Sequence, residues 1–262
     1  SKELIQNKDI SSVAISEDEK IIVMINEEDH IREQCLEKGF NLYKPYRRLE
    51  KIDDQILKSM PIAFDKDLGF ITACPSNLGC GMRASVMLFL PAIEKSGKIE
   101  KLFSDAKNSG LTIRGIFGEG SKAQGYFYQI SNSSSLGYSE DEIIDMVSEF
   151  IYNVCQLENQ ERQNLLNSNQ EKLKDEIFRS YGILTNAFSL KEDEMIELLS
   201  QVKLGQVLGF IDIKNDDKYQ KLYHEGMSAN LQEIFEFFDK KKENIIRAEY
   251  ISKEVKNLTQ RR

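Results

Sequence analysis

Asn26-Glu27-Glu28-Asp29-His30-Ile31-Arg32 follows directly on the apolar run Ile21-Ile22-Val23-Met24-Ile25. The run has the length and β-branched content of a buried strand, and the acidic residues after it read as the turn that ends it. Two more glycine-punctuated, arginine-bearing segments lie downstream. They are Cys74-Pro75-Ser76-Asn77-Leu78-Gly79-Cys80-Gly81-Met82-Arg83 and Arg114-Gly115-Ile116-Phe117-Gly118-Glu119-Gly120. Strand-like stretches surround them: 69–74, stopped by Pro75; 85–90, stopped by Pro91; and 111–116 and 126–130. These runs predict one mostly antiparallel sheet, flanked by helices over 49–60 and 92–108.

The second half changes character. Ser139-Glu140-Asp141-Glu142 reads as a capping box opening a long amphipathic helix. Ile143, Val147, Phe150, Val154 and Leu157 fall on one face of it. A second box, Ser189-Leu190-Lys191-Glu192, leads into Met195, Leu198, Leu199 and Val202, and from there to Arg262 only helices are expected. The fold class is α+β, with a soft boundary near residue 165. Residues 1–165 form one domain and 166–262 a helical one.

At 262 residues, 40% hydrophobic and 30% charged, the chain can bury a sizeable core. A formal net charge of −8 argues against general electrostatic binding to nucleic acid or to an anionic membrane. No apolar run approaches the length of a membrane span, and no signal peptide is read. Cys35, Cys74, Cys80 and Cys155 have no CxxC spacing, and with only two histidines, His30 and His224, the composition argues against a zinc site. Four such cysteines predict reduced thiols and a cytoplasmic location.

Arg32, Arg83 and Arg114 are the candidate anion-binding residues. A guanidinium is planar, always charged and able to grip phosphate with two parallel hydrogen bonds. Any one of them taken singly would read as a surface salt bridge. Glu28 and Glu119 are candidates for orienting a nitrogen nucleophile and taking its proton as the transition state develops, since no carboxylate deprotonates a guanidinium outright. Glu27-Glu28-Asp29, without its neighbours, would read as a solvated acidic turn. Cys74, before Pro75, is a candidate thiolate partner for a cationic substrate or a small buried hydrophobe. The chain has no glycine loop ending in Lys-Ser or Lys-Thr, and no HRD or DFG set. A phosphate site here must be built from arginines.

NEEDHIR, CPSNLGxGxRAS and RGxxGEG, in that order, resemble the phosphagen (guanidino) kinase family, and within it the protein-arginine kinases of the McsB type. The resemblance covers nearly the whole chain. It implies the guanidino kinase catalytic lobe over 1–165, lacking an N-terminal part that supplies further nucleotide-binding arginines. It implies a C-terminal domain over 166–262 for dimerisation and phosphoarginine binding. Arg179-Ser180-Tyr181-Gly182-Ile183-Leu184 and Lys203-Leu204-Gly205-Gln206-Val207-Leu208-Gly209 resemble that domain. The activity implied is ATP- and Mg²⁺-dependent phosphorylation of arginine side chains in proteins. Arg32, Arg83 and Arg114 would hold the nucleotide phosphates, Glu28 and Glu119 the guanidino acceptor, and Cys74 would be the active-site cysteine. A zinc-binding activator protein, a heat-shock repressor, the Clp protease machinery and a second copy of the chain are the implied partners. Two rival readings are a small-molecule guanidino kinase, such as an arginine kinase, and a non-catalytic phosphoarginine-binding module. Besides the N-terminal part, one smaller and one larger departure from the family pattern stand out. Cys80 replaces the family's usual Thr, and the RDxxRA-like stretch reads Glu243-Asn244-Ile245-Ile246-Arg247-Ala248, retaining only Arg247 and Ala248.

Overall fold

The computed structural model describes residues 2–116, 123–235 and 239–261. In chain order the elements are α1 (Lys2–Gln6), β1 (Ser12–Ile15), β2 (Ile21–Ile25), β3 (Ile31–Cys35), α2 (Tyr43–Ser59), β4 (Phe64–Asp65), β5 (Gly69–Phe70) and β6 (Ser85–Phe89). Then come α3 (Pro91–Lys95), α4 (Ile99–Asn108), β7 (Leu111–Gly115), β8 (Phe127–Asn132) and α5 (Glu140–Asn186). The chain continues with α6 (Glu192–Val207), β9 (Ile211–Ile213), α7 (Asp216–Glu225), α8 (Ser228–Ile234), α9 (Glu243–Leu258) and β10 (Thr259–Arg261).

The strand-like runs do not form the single sheet expected. Among the described residues they divide into three-stranded sheets ordered β1-β2-β3 and β6-β8-β7, with pairs β4-β5 and β9-β10. The expected strand over 69–74 shortens to Gly69–Phe70. Beyond it Thr72 Oγ1 donates to the Cys74 carbonyl at 2.8 Å, a local side-chain bond that competes with a ladder. The C-terminal part is not helical throughout. β9 pairs antiparallel with β10, Asp212 opposite Gln260. Three β-branched or alternating residues after the Gly209 turn (φ 79°) are too few for a periodic signal to reveal.

The chain separates into two compact units. Unit one comprises residues 1–86, 104–112 and 130–153. Its burial is uneven: Ala106, Leu111, Ile130, Ile143, Ile144, Val147 and Ile151 are buried, whereas its N-terminal part is open to solvent. β1 is exposed along its whole length and α2 has no buried residue. Ser139 and Glu142 form the expected capping box: Ser139 N–H donates to Glu142 Oε2 at 2.8 Å, and Glu142 N–H returns to Ser139 Oγ at 3.4 Å.

Unit two comprises residues 87–103, 113–129 and 154–262. Its core joins Phe127 to Ile177, Leu184, Leu199, Val202, Tyr219, Tyr223, Ile251 and Val255. The second expected box is absent, because the N-cap of α6 is Lys191 and no side chain caps it. Instead Glu192 Oε2 accepts from Ser228 N–H and Oγ, each at 2.8 Å. α5 breaks at Asn169 (φ −159°, ψ 48°), in the polar run Asn167-Ser168-Asn169-Gln170.

Candidate active site

β2 and β3 pair so that Ile25 faces Ile31 and Met24 faces Arg32. Residues 26–30 are therefore the loop of a hairpin. Asn26 takes the left-handed conformation (φ 53°), which asparagine tolerates better than most residues. Its N–H donates to His30 O at 3.0 Å and its Nδ2 to Ile10 O at 2.7 Å. The loop is closed by backbone, so its acidic side chains stand in fixed directions. His30 contributes its carbonyl, and its side chain is exposed.

The three acidic residues have three different environments. Glu27 is buried, at 8% exposure, and is not part of a solvated acidic turn. Its Oε2 accepts from Arg32 Nη1 at 3.0 Å and from Glu28 N–H at 2.9 Å. A buried carboxylate needs such charged and backbone partners. Glu27 thus orients the half-exposed Arg32 guanidinium and the backbone that presents Glu28. Glu28 itself is exposed. Asp29 reaches across to the second motif: Ala73 N–H donates to its Oδ1 at 2.6 Å, and Asn77 Nδ2 to its Oδ2 at 3.0 Å.

Cys74 lies between these two anchors, with its Sγ 2.9 Å from Ser76 Oγ. Pro75–Asn77 form a single 3-10 turn. The glycines after it are required by space. Gly79 sits at φ 110°, where a Cβ would meet Ser135 O at 2.3 Å. Gly69 sits at φ 75°, where a Cβ would meet Gly79 O at 2.2 Å. Ser135 Oγ also donates to Leu78 O at 2.8 Å. Arg83 follows on an exposed strap whose flanks are fixed by the buried Asn132. Asn132 Oδ1 accepts from Ala84 N–H at 2.9 Å, and its Nδ2 donates to Met82 O at 3.0 Å.

The structure therefore brings Glu28, Arg32, Cys74 and Arg83 onto mutually tied segments of unit one. Arg114 is exposed on β7 and belongs to unit two. Glu119 lies outside the described residues. Glu27, Asp29, Asn132 and Ser135 are the positioning residues that motif reading alone did not single out. The letters NEED and the spacing to CPSN contain Glu27 and Asp29, but nothing local says which acid turns inward. All four cysteines are free, and burial pushes the Cys35, Cys80 and Cys155 thiols up. Among the described residues no cluster of three His, Cys, Asp or Glu side chains could hold a metal ion.

Residues 1–161 match the family model described as ATP:guanido phosphotransferase, C-terminal catalytic domain. The chain belongs to that family. Residues 170–262 match a second family model, the protein-arginine kinase McsB C-terminal domain. Among curated relatives, a protein-arginine kinase of Clostridium acetobutylicum is 41% identical over 252 residues, which is 96% of this chain and 74% of the relative. One of Clostridium tetani is 39% identical over 98% of this chain and 76% of its own length. Among solved structures, a lombricine kinase is 29% identical with a TM-score of 0.51, covering 57% of this chain and 42% of that one. The duplicated taurocyamine kinase of Schistosoma mansoni is 28% identical with a TM-score of 0.53, covering 68% of this chain and 27% of that one. The chain thus spans about three-quarters of those curated relatives and less than half of those solved chains.

The McsB C-terminal match directs attention to Arg247. It is 1% exposed. Its Nε donates to Gly226 O at 2.7 Å, its Nη1 to Leu190 O at 3.1 Å and Asn244 Oδ1 at 2.7 Å. Its Nη2 donates to Ser228 Oγ at 3.1 Å and Glu243 Oε1 at 2.5 Å. The guanidinium's five N–H groups thus face five acceptors within the fold.

Proposed function

We propose that this chain transfers the terminal phosphoryl group of ATP to arginine side chains of proteins. The observation that carries the reading is the junction of the two family matches. A guanidino phosphotransferase catalytic region runs into a C-terminal domain of the protein-arginine kinase type, with about 40% identity to protein-arginine kinases along nearly the whole chain. The match of residues 170–262 to the protein-arginine kinase McsB C-terminal domain favours this reading over a small-molecule guanidino kinase.

In this reading a guanidino nitrogen attacks the terminal phosphorus, an N–P bond forms, and the P–O bond to ADP breaks. The nitrogen's proton passes to a carboxylate. Glu28, exposed on a closed loop, is the base, and Glu119 is its partner in aligning the guanidinium. Arg32, Arg83 and Arg114 neutralise the polyphosphate. Phosphoryl transfer asks mainly for positioning and charge stabilisation, which such donors supply. The solvent-facing arginines fit a polyphosphate. Mg²⁺ would accompany the nucleotide, bridging its phosphate oxygens and neutralising part of their charge. Cys74, between the two Asp29 anchors, stands ready to face the substrate cation. A second copy of the chain, a zinc-binding activator, a heat-shock repressor and the Clp protease machinery are the proposed partners, in the cytoplasm. The closed hydrogen-bond shell of Arg247 speaks against a phosphoarginine pocket built on that residue.

The test is phosphoarginine formation. The chain is incubated with Mg-ATP and an unfolded arginine-bearing protein, beside free arginine. Acid-labile phosphate on the protein's arginines, with none on free arginine, is the expected result. Signal on free arginine alone would move the assignment to a metabolic kinase. Silence from this chain and from a version extended at its N-terminus would sink the reading.

A further inference from the structure

The hairpin that carries Arg114 is gripped by the C-terminal helices. Ile116, two residues beyond Arg114, donates its N–H to Phe127 O at 2.9 Å and accepts from Gln124 N–H at 3.1 Å. The returning chain is then held at three successive residues. Gly125 lies at φ 75°, where a Cβ would meet Ser200 Oγ at 2.6 Å and Ile196 Cγ2 at 2.9 Å. Only glycine lets the backbone approach α6 this closely. Tyr126 accepts through its carbonyl from Leu90 N–H at 2.9 Å, and its phenol oxygen accepts from Gln201 Nε2 at 2.6 Å. Phe127 meets Tyr223 edge to face, ring centroids 5.2 Å apart, and the Tyr223 hydroxyl lies 3.1 Å from Ser200 Oγ. Ser200 and Gln201 are thus the polar residues that α6 turns toward the hairpin.

Two features of this contact are unfavourable for stability. Tyr126 is a non-glycine residue at φ 66°. Such backbone carries strain that the surroundings must impose. Among the described residues Gln201 Oε1 is buried with no hydrogen-bond partner. An amide with one end unsatisfied loses its hydration without replacement, and leucine would fill the same volume without that loss. Their coexistence at one point indicates that geometry is what this contact provides.

We propose that Gln201 is a positioning residue for the phosphate-binding hairpin. Helix α6, through Gln201 on Tyr126 and Ser200 against Gly125, sets the backbone from which Arg114 projects. The C-terminal module is then part of the nucleotide site's support, and a displacement of α6 alters the grip on ATP. The inference rests on the assignment of Arg114 to the nucleotide phosphates.

Three variants test it: Gln201→Leu, Tyr126→Phe and Arg114→Ala. Two quantities are measured on the full chain, backbone amide exchange and Mg-ATP affinity by titration. Gln201→Leu and Tyr126→Phe should each speed exchange at Ile116 and Gln124 while leaving the β2–β3 amides unchanged. Each should weaken Mg-ATP binding about fivefold, the ratio that one net hydrogen bond sets. Gln201→Leu should add no further loss once Arg114 is alanine. A lower Tm with unchanged exchange at Ile116 and Gln124, or with unchanged Mg-ATP affinity, would make the pair purely structural and overturn the proposal. If Arg114→Ala leaves affinity unchanged, the Arg114 assignment fails; the coupling then stands only if Gln201→Leu still weakens Mg-ATP binding. Should Gln201→Leu not fold, Tyr126→Phe keeps the ring and decides. Should the unmodified chain bind no Mg-ATP, the nucleotide-site role is overturned with the Arg114 assignment.

Discussion

Asp29 uses both carboxylate oxygens on the segment that carries Cys74. Replacing it with alanine unties the two motifs without touching Glu28 or Cys74. A misplacement of about 1 Å near reacting atoms costs about a hundredfold. Asp29→Ala should therefore lower kcat/KM by roughly tenfold or more, and Asp29→Asn, which keeps one acceptor, should lie between it and the unmodified chain. Steady-state kinetics on a protein substrate checks the order. Glu33, beside Arg32 in sequence, gives a second residue-scale prediction. Burial, with the nearby Asp53 charge, pushes its carboxyl from 4.5 up to about 7. Between those values the fold holds a proton that the unfolded chain has released, so stability falls as pH rises across that window and is level above it. Glu33→Gln should raise Tm at pH 8, and the gain should vanish near pH 4. The candidate residues Glu28, Arg32, Cys74 and Arg83 could be named from the sequence because each motif is local. Glu27 and Asp29 were not, since burial decides the work of the first and partners 44 and 48 residues away that of the second.

The strands and helices that hold the site depend on a few backbone approaches. Gly79 is the clearest. Its φ of 110° and the Ser135 carbonyl 2.3 Å from an added Cβ leave no room for a side chain. Gly79→Ala should destabilise the chain by about 2 kcal/mol or more, read as a lower urea midpoint, and should depress activity before it unfolds the chain. Element type was readable wherever periodicity was long. β2, β6, β7 and the start of α5 fall where apolar spacing puts them, and the Ser139 box opens α5 as its residues imply. β4, β5 and β9 are two or three residues long and exist because a partner strand is present. The missing Ser189 box has the same cause: Glu192 is engaged by Ser228, a tertiary partner that outcompetes the local cap.

At the scale of the whole molecule, unit one buries Ile130, Ile143, Ile144, Val147 and Ile151, and unit two holds an extended apolar core. Arg247 is the largest fully buried side chain and links α9 to the segment before α6, to the turn after α7 and to α8. Arg247→Met removes the cation and leaves Glu243 and Glu192 facing one another's charge, so the loss should be about 3–5 kcal/mol. Thermal unfolding measures it, and Glu243→Gln combined with Arg247→Met should recover part of it. Antiparallel sheets, helices and the catalytic class followed from motif order. The way α6 supports the Arg114 hairpin did not, because it joins residues 75 apart through one hydrogen bond.

The enclosure of Arg247 has a chemical meaning for a protein whose proposed substrate is the arginine side chain. Arg179, with a side chain 74% exposed, offers a guanidinium that any such catalyst could modify. Arg247 does not. A phosphoryl group on any of its nitrogens would have to displace a carbonyl, hydroxyl, amide or carboxylate oxygen already in place. The residue that fastens the helices together is thereby shielded from the reaction proposed for this chain, while exposed arginines such as Arg179 are not.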